Sequence, residues 1–218
     1  MVKNTPLKIR VSDSIGSVSA ELVAGEKPKA IFAFAHGAGA GMNHPFMKSS
    51  SIAMAEKGLA TMRFNFPFSE QKKGRPDVPP VAHKTIDAAL NQARELYPKL
   101  PVFAAGKSFG GRMSSQYLSA GAIDFVKGII FFGFPLHAPG KPSIDRADHL
   151  KTVKVPLLFL QGTRDALAEW SLIEQVAGAL PLATLVKFDG ADHSFKKGKE
   201  NLIPPLVGAI EQWIADKL

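Results

Sequence analysis

A serine lies between glycines in the segment GKSFG, residues 106–110, after the apolar run PVFAA and before a segment with helical spacing. A sharp turn from strand to helix lifts a serine hydroxyl above the sheet, and it needs small residues two positions away on either side. The helix that starts behind the serine also favours negative charge there, through its dipole and free N–H groups. The segment therefore predicts Ser108 as a nucleophile.

Two other interpretations apply to the segment GKSFG. GKS also ends a phosphate-binding loop, but that loop requires a glycine where this chain has Pro101, so it is excluded. The glycines also fit an ordinary connection between a strand and a helix, with Ser108 as the helix N-cap. This second interpretation stays open on the segment alone.

A serine hydroxyl is a weak nucleophile until a base removes its proton. In enzymes whose serine stands at such a turn, the acid follows the serine along the chain and the histidine comes last. In the segment LLFLQGTRD, Asp165 lies just past the end of a strand-like run, and His193 lies in a loop just past the last such run. Asp189 and Asp192 are too close to His193 in sequence to orient it from across a sheet. We therefore predict His193 as the base and Asp165 as its partner.

Acyl transfer also needs two N–H donors aimed at the developing oxyanion. One is expected from Phe109, the residue after the nucleophile, and the other from the loop HGAGAG at 36–41. We expect the Ala38 amide to be this second donor, with Gly39 as the neighbouring alternative. Gly37 and Gly39 are also expected to line the substrate site, because small residues let the backbone approach a ligand. A turn without a catalytic part is the other interpretation of this loop.

Short apolar runs alternate with segments of helical spacing along the chain. Near-continuous apolar runs bounded by Gly, Pro or polar residues are typical of strands buried on both faces of a sheet. We predict strands over 30–37, 60–66, 101–108, 128–134, 156–162 and 184–188, helices over 46–57, 82–97, 109–120, 169–180 and 202–217, and antiparallel edge strands at LKIRVS and VSAELVA. The alternation predicts a single α/β domain over residues 1–218, with a mostly parallel central sheet, helices on both faces and a minimal lid.

Two segments, 67–80 and 134–150, have no clear secondary structure. Both follow a strand, and loops past the carboxyl ends of parallel strands line the ligand crevice. We expect these short loops to shape an open substrate site, with His137 of the second loop on the substrate side. Arg63 and Asn65 end a strand on the same side and either hold a loop or bind a polar substrate.

Composition excludes several classes of protein. The 218 residues contain no cysteine, so disulfides, thiolate nucleophiles and Cys-ligated zinc are excluded. The absence of a signal-like N-terminus and of a membrane-length apolar run predicts a soluble, cytoplasmic protein that binds no membrane.

The net charge is +8, and part of the positive charge is clustered in two segments, KKGR at 72–75 and KKGK at 196–199. We interpret both clusters as solvated loops, with steering of anionic substrates and polyanion contact as alternatives, and we expect no nucleic-acid partner, metal or cofactor.

Six segments together resemble the dienelactone-hydrolase-like branch of the α/β-hydrolase superfamily: HGAGAGMNHPFM, MRFNFPF, GKSFGGRMSS, FFGFPLHAPGKP, FLQGTRD and DGADHSF. More narrowly, they resemble the small family of testis-expressed and chromatin-complex regulatory hydrolase-like proteins, and the resemblance covers nearly the whole chain. It implies an α/β-hydrolase fold with Ser108 as nucleophile, Asp165 as acid and His193 as base. Dienelactone hydrolase itself has a cysteine where Ser108 stands, so its substrate is not implied.

These features predict a serine hydrolase that cleaves small carboxylic esters through a Ser-His-Asp triad and an acyl-enzyme intermediate. Thioesters, amides, peptides or acyl transfer on the same triad are alternatives. A third alternative is an interaction module that keeps the fold without catalysis, as some relatives are, because fold does not fix function.

Overall fold

The computed structural model describes residues 1–121 and 123–215, and its centre is one eight-stranded sheet in the order β1-β2-β4-β3-β5-β6-β7-β8. The strands are β1 (Lys3–Ser12), β2 (Gly16–Ala24), β3 (Ala30–Ala35), β4 (Leu59–Phe64), β5 (Val102–Lys107), β6 (Val126–Phe132), β7 (Leu157–Gly162) and β8 (Ala183–Phe188). The first two pair antiparallel with their neighbours, and the other six run parallel. The predicted mostly parallel sheet is confirmed.

Helices cover both faces of this sheet, as predicted. They are α1 (Pro45–Glu56), α2 (Pro67–Glu70), α3 (Pro79–Leu96), α4 (Phe109–Ala120), α5 (Trp170–Gly178) and α6 (Ile203–Ala215). One apolar cluster joins one face of the sheet to α3, α4 and α5, and a second joins the other face to α1 and α6. Because both faces are covered, every position of β3, β4 and β7 is buried. This burial explains the mainly apolar sequence of these strands, in which Thr61, Arg63 and Gln161 are the polar exceptions.

The segments without predicted structure contain short helices. The first holds α2 and the start of α3, whose opening Pro79 fits the first helical turn, where no N–H partner is needed. The second holds a 3₁₀ helix, Asp145–Thr152. The last two residues of the helix predicted over 202–217 lie outside the described residues.

The predicted start of β6 is wrong by two residues: the strand begins at Val126 and not at Gly128. The glycine lies inside the strand where Trp213 of α6 packs against the sheet. A Cβ atom at this position would come within 2.7 Å of the indole ring, so the glycine marks a close approach and not a turn. No helix of the described chain is both long and apolar enough to cross a bilayer.

Candidate active site

Three of the predicted residues come from strand ends on one edge of the sheet. Ser108 directly follows β5, Asp165 follows β7, and His193 follows β8. These strands are parallel, so their carboxyl ends lie side by side, and loops that leave them can meet.

The structure brings these side chains into one hydrogen-bonded chain. His193 Nε2 lies 2.8 Å from Ser108 Oγ, and His193 Nδ1 lies 2.7 Å from Asp165 Oδ2. A carboxylate only accepts hydrogen bonds, so Nδ1 carries a proton and donates a hydrogen bond to Asp165. Nε2 then presents its lone pair to the serine hydroxyl, which is the tautomer a general base needs.

Asp165 is fixed by donors on both of its oxygens. Gln161 Nε2 donates to Oδ2 at 2.6 Å, and the Leu167 amide donates to Oδ1 at 2.8 Å. Gln161 is itself fully buried and accepts a hydrogen bond from the Phe134 amide. Sequence reasoning did not identify Gln161, although a lone amide at the end of the apolar run LLFLQG was a signal for it.

The turn at Ser108 is sharp and strained. Its φ is +51° and its ψ is −115°, a conformation that non-glycine residues rarely adopt. A Cβ atom on Gly106 would lie 2.2 Å from the Gly111 amide nitrogen, and one on Gly110 would lie 2.6 Å from the Ala35 carbonyl oxygen. Both glycines are therefore required by the close approach of β5, α4 and β3, and this approach holds the serine above the sheet.

The loop after β3 lies beside the serine. A Cβ atom on Gly37 would be 3.7 Å from Ser108 Cβ, whereas one on Gly39 would meet nothing within 4 Å. Ala38 lines one cavity together with Ser108 and Phe109. Phe109 begins α4, so its N–H is one of the four that a helix leaves without an intrahelical acceptor. The roles of Ala38 and Phe109 as oxyanion donors, and of Gly37 and Gly39 as substrate contacts, stay predictions.

Three side chains hold this loop in place. His36 Nδ1 donates to the Gly37 carbonyl oxygen at 2.8 Å, and His36 Nε2 accepts from the Phe66 amide at 3.1 Å. Burial lowers the pKa of His36 to about 4, so the ring is neutral and can both donate and accept. Arg63 Nη1 donates to the Met42 carbonyl oxygen, and Asn65 Oδ1 accepts from the Met42 amide. Of the two roles considered for Arg63 and Asn65, these contacts favour holding the loop.

His137 lies in a different environment from the one we predicted. The side chain is 3% exposed, its Nδ1 donates to the Ala138 carbonyl oxygen at 2.9 Å, and its Nε2 accepts from the Glu169 amide at 3.0 Å. Both ring nitrogens are therefore occupied by the backbone. These contacts favour a structural role for His137 over the predicted substrate contact.

Lys107 is a partly buried cation that sequence reasoning passed over, because it occupies a position of the serine motif where any residue is allowed. Its Nζ donates to the His193 carbonyl oxygen at 2.5 Å and lies 5.5 Å from the centre of the Phe195 ring. Burial lowers the pKa of Lys107 to about 8, against the opposing effect of Asp165 and Asp192. The lysine thus ties the loop that carries His193 to the end of β5.

The lowered pKa of Lys107 predicts a rise in stability with pH. Above pH 8 the folded protein releases this proton, whereas the unfolded chain keeps it to about pH 10.4. The unfolded state then binds more protons, so the free energy of unfolding rises with pH. Between pH 7 and pH 10, the free energy of unfolding of wild type should therefore rise by about 2 to 3 kcal/mol relative to that of Lys107→Met, as measured by urea unfolding at each pH. Lys127→Met is the control, because Lys127 lies on the exposed side of β6, and its free energy of unfolding should change with pH as that of wild type does. If Lys107→Met also followed the pH dependence of wild type, the lowered pKa of Lys107 would be contradicted.

Three comparisons with solved structures agree on the fold. Dienelactone hydrolase from Anabaena variabilis is 19% identical with a TM-score of 0.79, over 100% of this chain and 99% of that one. An alpha-beta serine hydrolase homologue from Coxiella burnetii is 20% identical with a TM-score of 0.77, over 96% and 97% of the two chains. A serine hydrolase without a lid from Xanthomonas campestris is 19% identical with a TM-score of 0.76, over 99% and 95%. The sequence model of the family described as alpha/beta hydrolase domain matches residues 28–202.

Proposed function

Because this chain belongs to the alpha/beta hydrolase family, we propose that it is a serine hydrolase that cleaves small carboxylic esters through a covalent acyl-enzyme. The observation that carries the proposal is the hydrogen-bonded chain from Ser108 Oγ through His193 to Asp165, at 2.8 Å and 2.7 Å. It links a nucleophile, a base and an acid in the geometry that acyl transfer requires.

In the first half-reaction, His193 Nε2 takes the proton of Ser108 as the serine oxygen attacks the ester carbonyl carbon. The amides of Phe109 and Ala38 stabilise the negative charge that forms on the carbonyl oxygen. His193 then gives its proton to the ester oxygen of the leaving alcohol, and the bond from that oxygen to the carbonyl carbon breaks. The acyl group stays on Ser108.

In the second half-reaction, water attacks the acyl-enzyme, and His193 takes the proton that the water loses. The same histidine returns this proton to Ser108 as the acid product leaves. Asp165 keeps the imidazole in one orientation and stabilises its positive charge in both halves. One ester and one water thus give one acid and one alcohol, and the enzyme is restored.

Two observations weigh against two of the alternatives, peptide hydrolysis and a non-catalytic interaction module. The cavity at Ser108 has a volume of about 380 Å³, near the lower end for small-molecule sites, which suits a small substrate better than a peptide. The strained φ of +51° at Ser108 costs energy that an interaction module has no reason to retain.

Labelling with a fluorophosphonate probe tests the nucleophile. We expect mass spectrometry to locate one adduct on the peptide that contains Ser108, because only an activated serine attacks the probe. Ser108→Ala should lose the adduct and the esterase activity and remain folded, whereas Ser194→Ala, which changes an exposed serine beside His193, should keep both. An unlabelled but folded wild type, or a Ser108→Ala protein that remains active, would overturn the proposal.

A further inference from the structure

Two arginines lie in the wall of the cavity that contains Ser108. Arg112 lies one helical turn beyond the serine, since its amide donates to the Ser108 carbonyl oxygen at 3.1 Å. Side chains of a helix lean towards its N-terminus, which directs the Arg112 side chain back towards the Ser108 turn. Arg146 reaches the same cavity from the 3₁₀ helix Asp145–Thr152.

Neither guanidinium has an anionic partner in the part of the chain that the structure describes. Among residues 1–121 and 123–215, no salt bridge or side-chain hydrogen bond joins either one to another residue, and Arg112 Nε is buried without any partner there. By contrast, Arg63 is paired with Glu21 and Arg10 with Asp13. A half-buried cation without a counter-ion is costly, and the cost is removed when a ligand supplies the charge.

Arg146 is a second positive charge close to Arg112. Burial and the nearby charge of Arg146 both lower the pKa of Arg112. His149, which lies 2.7 Å from Ser115 Oγ, has its pKa lowered to about 4 by burial and by Arg112, so it is neutral. Two like charges that face one cavity repel, and an anion between them relieves the repulsion.

One carboxylate of the protein lies in the cavity wall, that of Asp77. Its Oδ2 accepts from the Phe68 amide at 3.0 Å, and it forms no ion pair with either arginine in the described chain. Two guanidinium groups and one carboxylate leave the wall with a net charge of about +1. This charge matches a carboxylate better than a doubly charged phosphate.

We propose that the ester cleaved at this site carries a second, ionised carboxylate, which Arg112 and Arg146 bind while Ser108 attacks the ester carbonyl. The inference rests on the proposed function and adds its substrate class. The planar fork of each guanidinium matches the two oxygens of a carboxylate, so the arginines both attract the substrate and orient it.

Two pairs of esters test the inference, because they differ only in the second charge. In the first pair, 3-carboxyphenyl butyrate carries the charge in its alcohol half, and its methyl ester is neutral. In the second pair, ethyl hydrogen glutarate carries the charge in its acyl half, and ethyl valerate is neutral. We expect kcat/KM for the charged member of at least one pair to exceed that of its neutral partner by about 10- to 100-fold, the range that charge-assisted hydrogen bonds provide.

Variants of the two arginines assign the preference to them. Arg112→Gln and Arg146→Gln should each reduce the preference to within about 3-fold, while kcat/KM for the neutral esters changes by less than about 3-fold. Arg94→Gln is the matched control: Arg94 lies beside Phe125 at the opposite edge of the sheet, and its loss removes the same charge. This control should keep the preference of wild type.

The outcomes separate the inference from the proposed function. Charged esters that react no faster than their neutral partners, on an enzyme whose Ser108 is labelled by the fluorophosphonate, overturn the inference and leave the hydrolase assignment in place. A preference that survives both Arg112→Gln and Arg146→Gln also overturns it. A folded enzyme that neither hydrolyses any of the four esters nor takes up the probe overturns both.

Discussion

Replacing Asp165 by Asn should lower kcat for ester hydrolysis by about 10⁴-fold at neutral pH, with a much smaller change in KM. Every described contact of this carboxylate is a donor: His193 Nδ1 and Gln161 Nε2 on one oxygen, and the Leu167 amide on the other. An amide must turn its NH₂ group towards one of these donors in either orientation. The variant therefore loses the alignment of His193 and the negative charge that stabilises its protonated form.

Asp192→Asn is the matched control for this result. Asp192 is the sequence neighbour of His193, but its Oδ1 accepts from the amides of Ser194 and Lys196 and closes a local turn. We expect kcat to change by less than about 10-fold, because no catalytic atom depends on this carboxylate. Steady-state kinetics with one aryl ester, together with thermal unfolding of each variant, make the comparison. An equal loss in both variants would contradict the assignment of Asp165 as the acid.

The fold and the order of the candidate triad could be predicted because both leave local signals. An unbroken apolar run such as residues 30–35 is what a strand buried on two faces requires, and the structure buries every residue of it. Gly106 and Gly110 flank Ser108 because the backbone of the turn leaves no room for side chains there. Asp165 and His193 could be found because each lies in the loop that follows a predicted strand, Asp165 after β7 and His193 after β8.

Two of the residues that support the site, His36 and Lys107, could not be predicted, because their partners are far away in sequence. His36 binds the Phe66 amide 30 positions away, and Lys107 binds the His193 carbonyl 86 positions away. Nothing in the neighbouring residues distinguishes His36 and Lys107 from ordinary residues at the ends of strands. In the sequence, Arg112 is only one polar position of an amphipathic helix. Its relation to Arg146 is visible only in the folded chain, where both line the same cavity. Pairings that only the folded chain creates are therefore absent from a sequence pattern.

Packing on both sides of the Ser108 turn explains why the site tolerates a strained backbone. Ser108 adopts a positive φ, yet α4 starts one residue later and packs on β5, β6 and α3. Cooperative packing on both sides of the turn fixes a conformation that the serine would not adopt by itself. The close contacts of Gly106 therefore help to hold the Ser108 hydroxyl above the sheet.

Gly106→Ala should for this reason destabilise the protein by at least about 4 kcal/mol, or prevent it from folding. The added Cβ would lie 2.2 Å from the Gly111 nitrogen and 2.4 Å from the Gly110 carbonyl carbon, and these are backbone atoms that cannot rotate away. Relief requires α4 to move off β5, and this movement displaces Ser108 from His193. We expect a lower urea midpoint and loss of esterase activity together.

Gly208→Ala provides the matched control, because it adds the same methyl group to a glycine of the same chain. Gly208 lies on the exposed side of α6, and a Cβ atom there would meet nothing within 4 Å. Alanine favours a helix over glycine, so this variant should gain about 0.5–1 kcal/mol and keep full activity. Opposite shifts of the urea midpoint would assign the cost at Gly106 to the close approach of the backbone. A Gly106→Ala protein within about 1 kcal/mol of wild type would show that the turn can relax, and that the glycine is not needed to hold the serine in place.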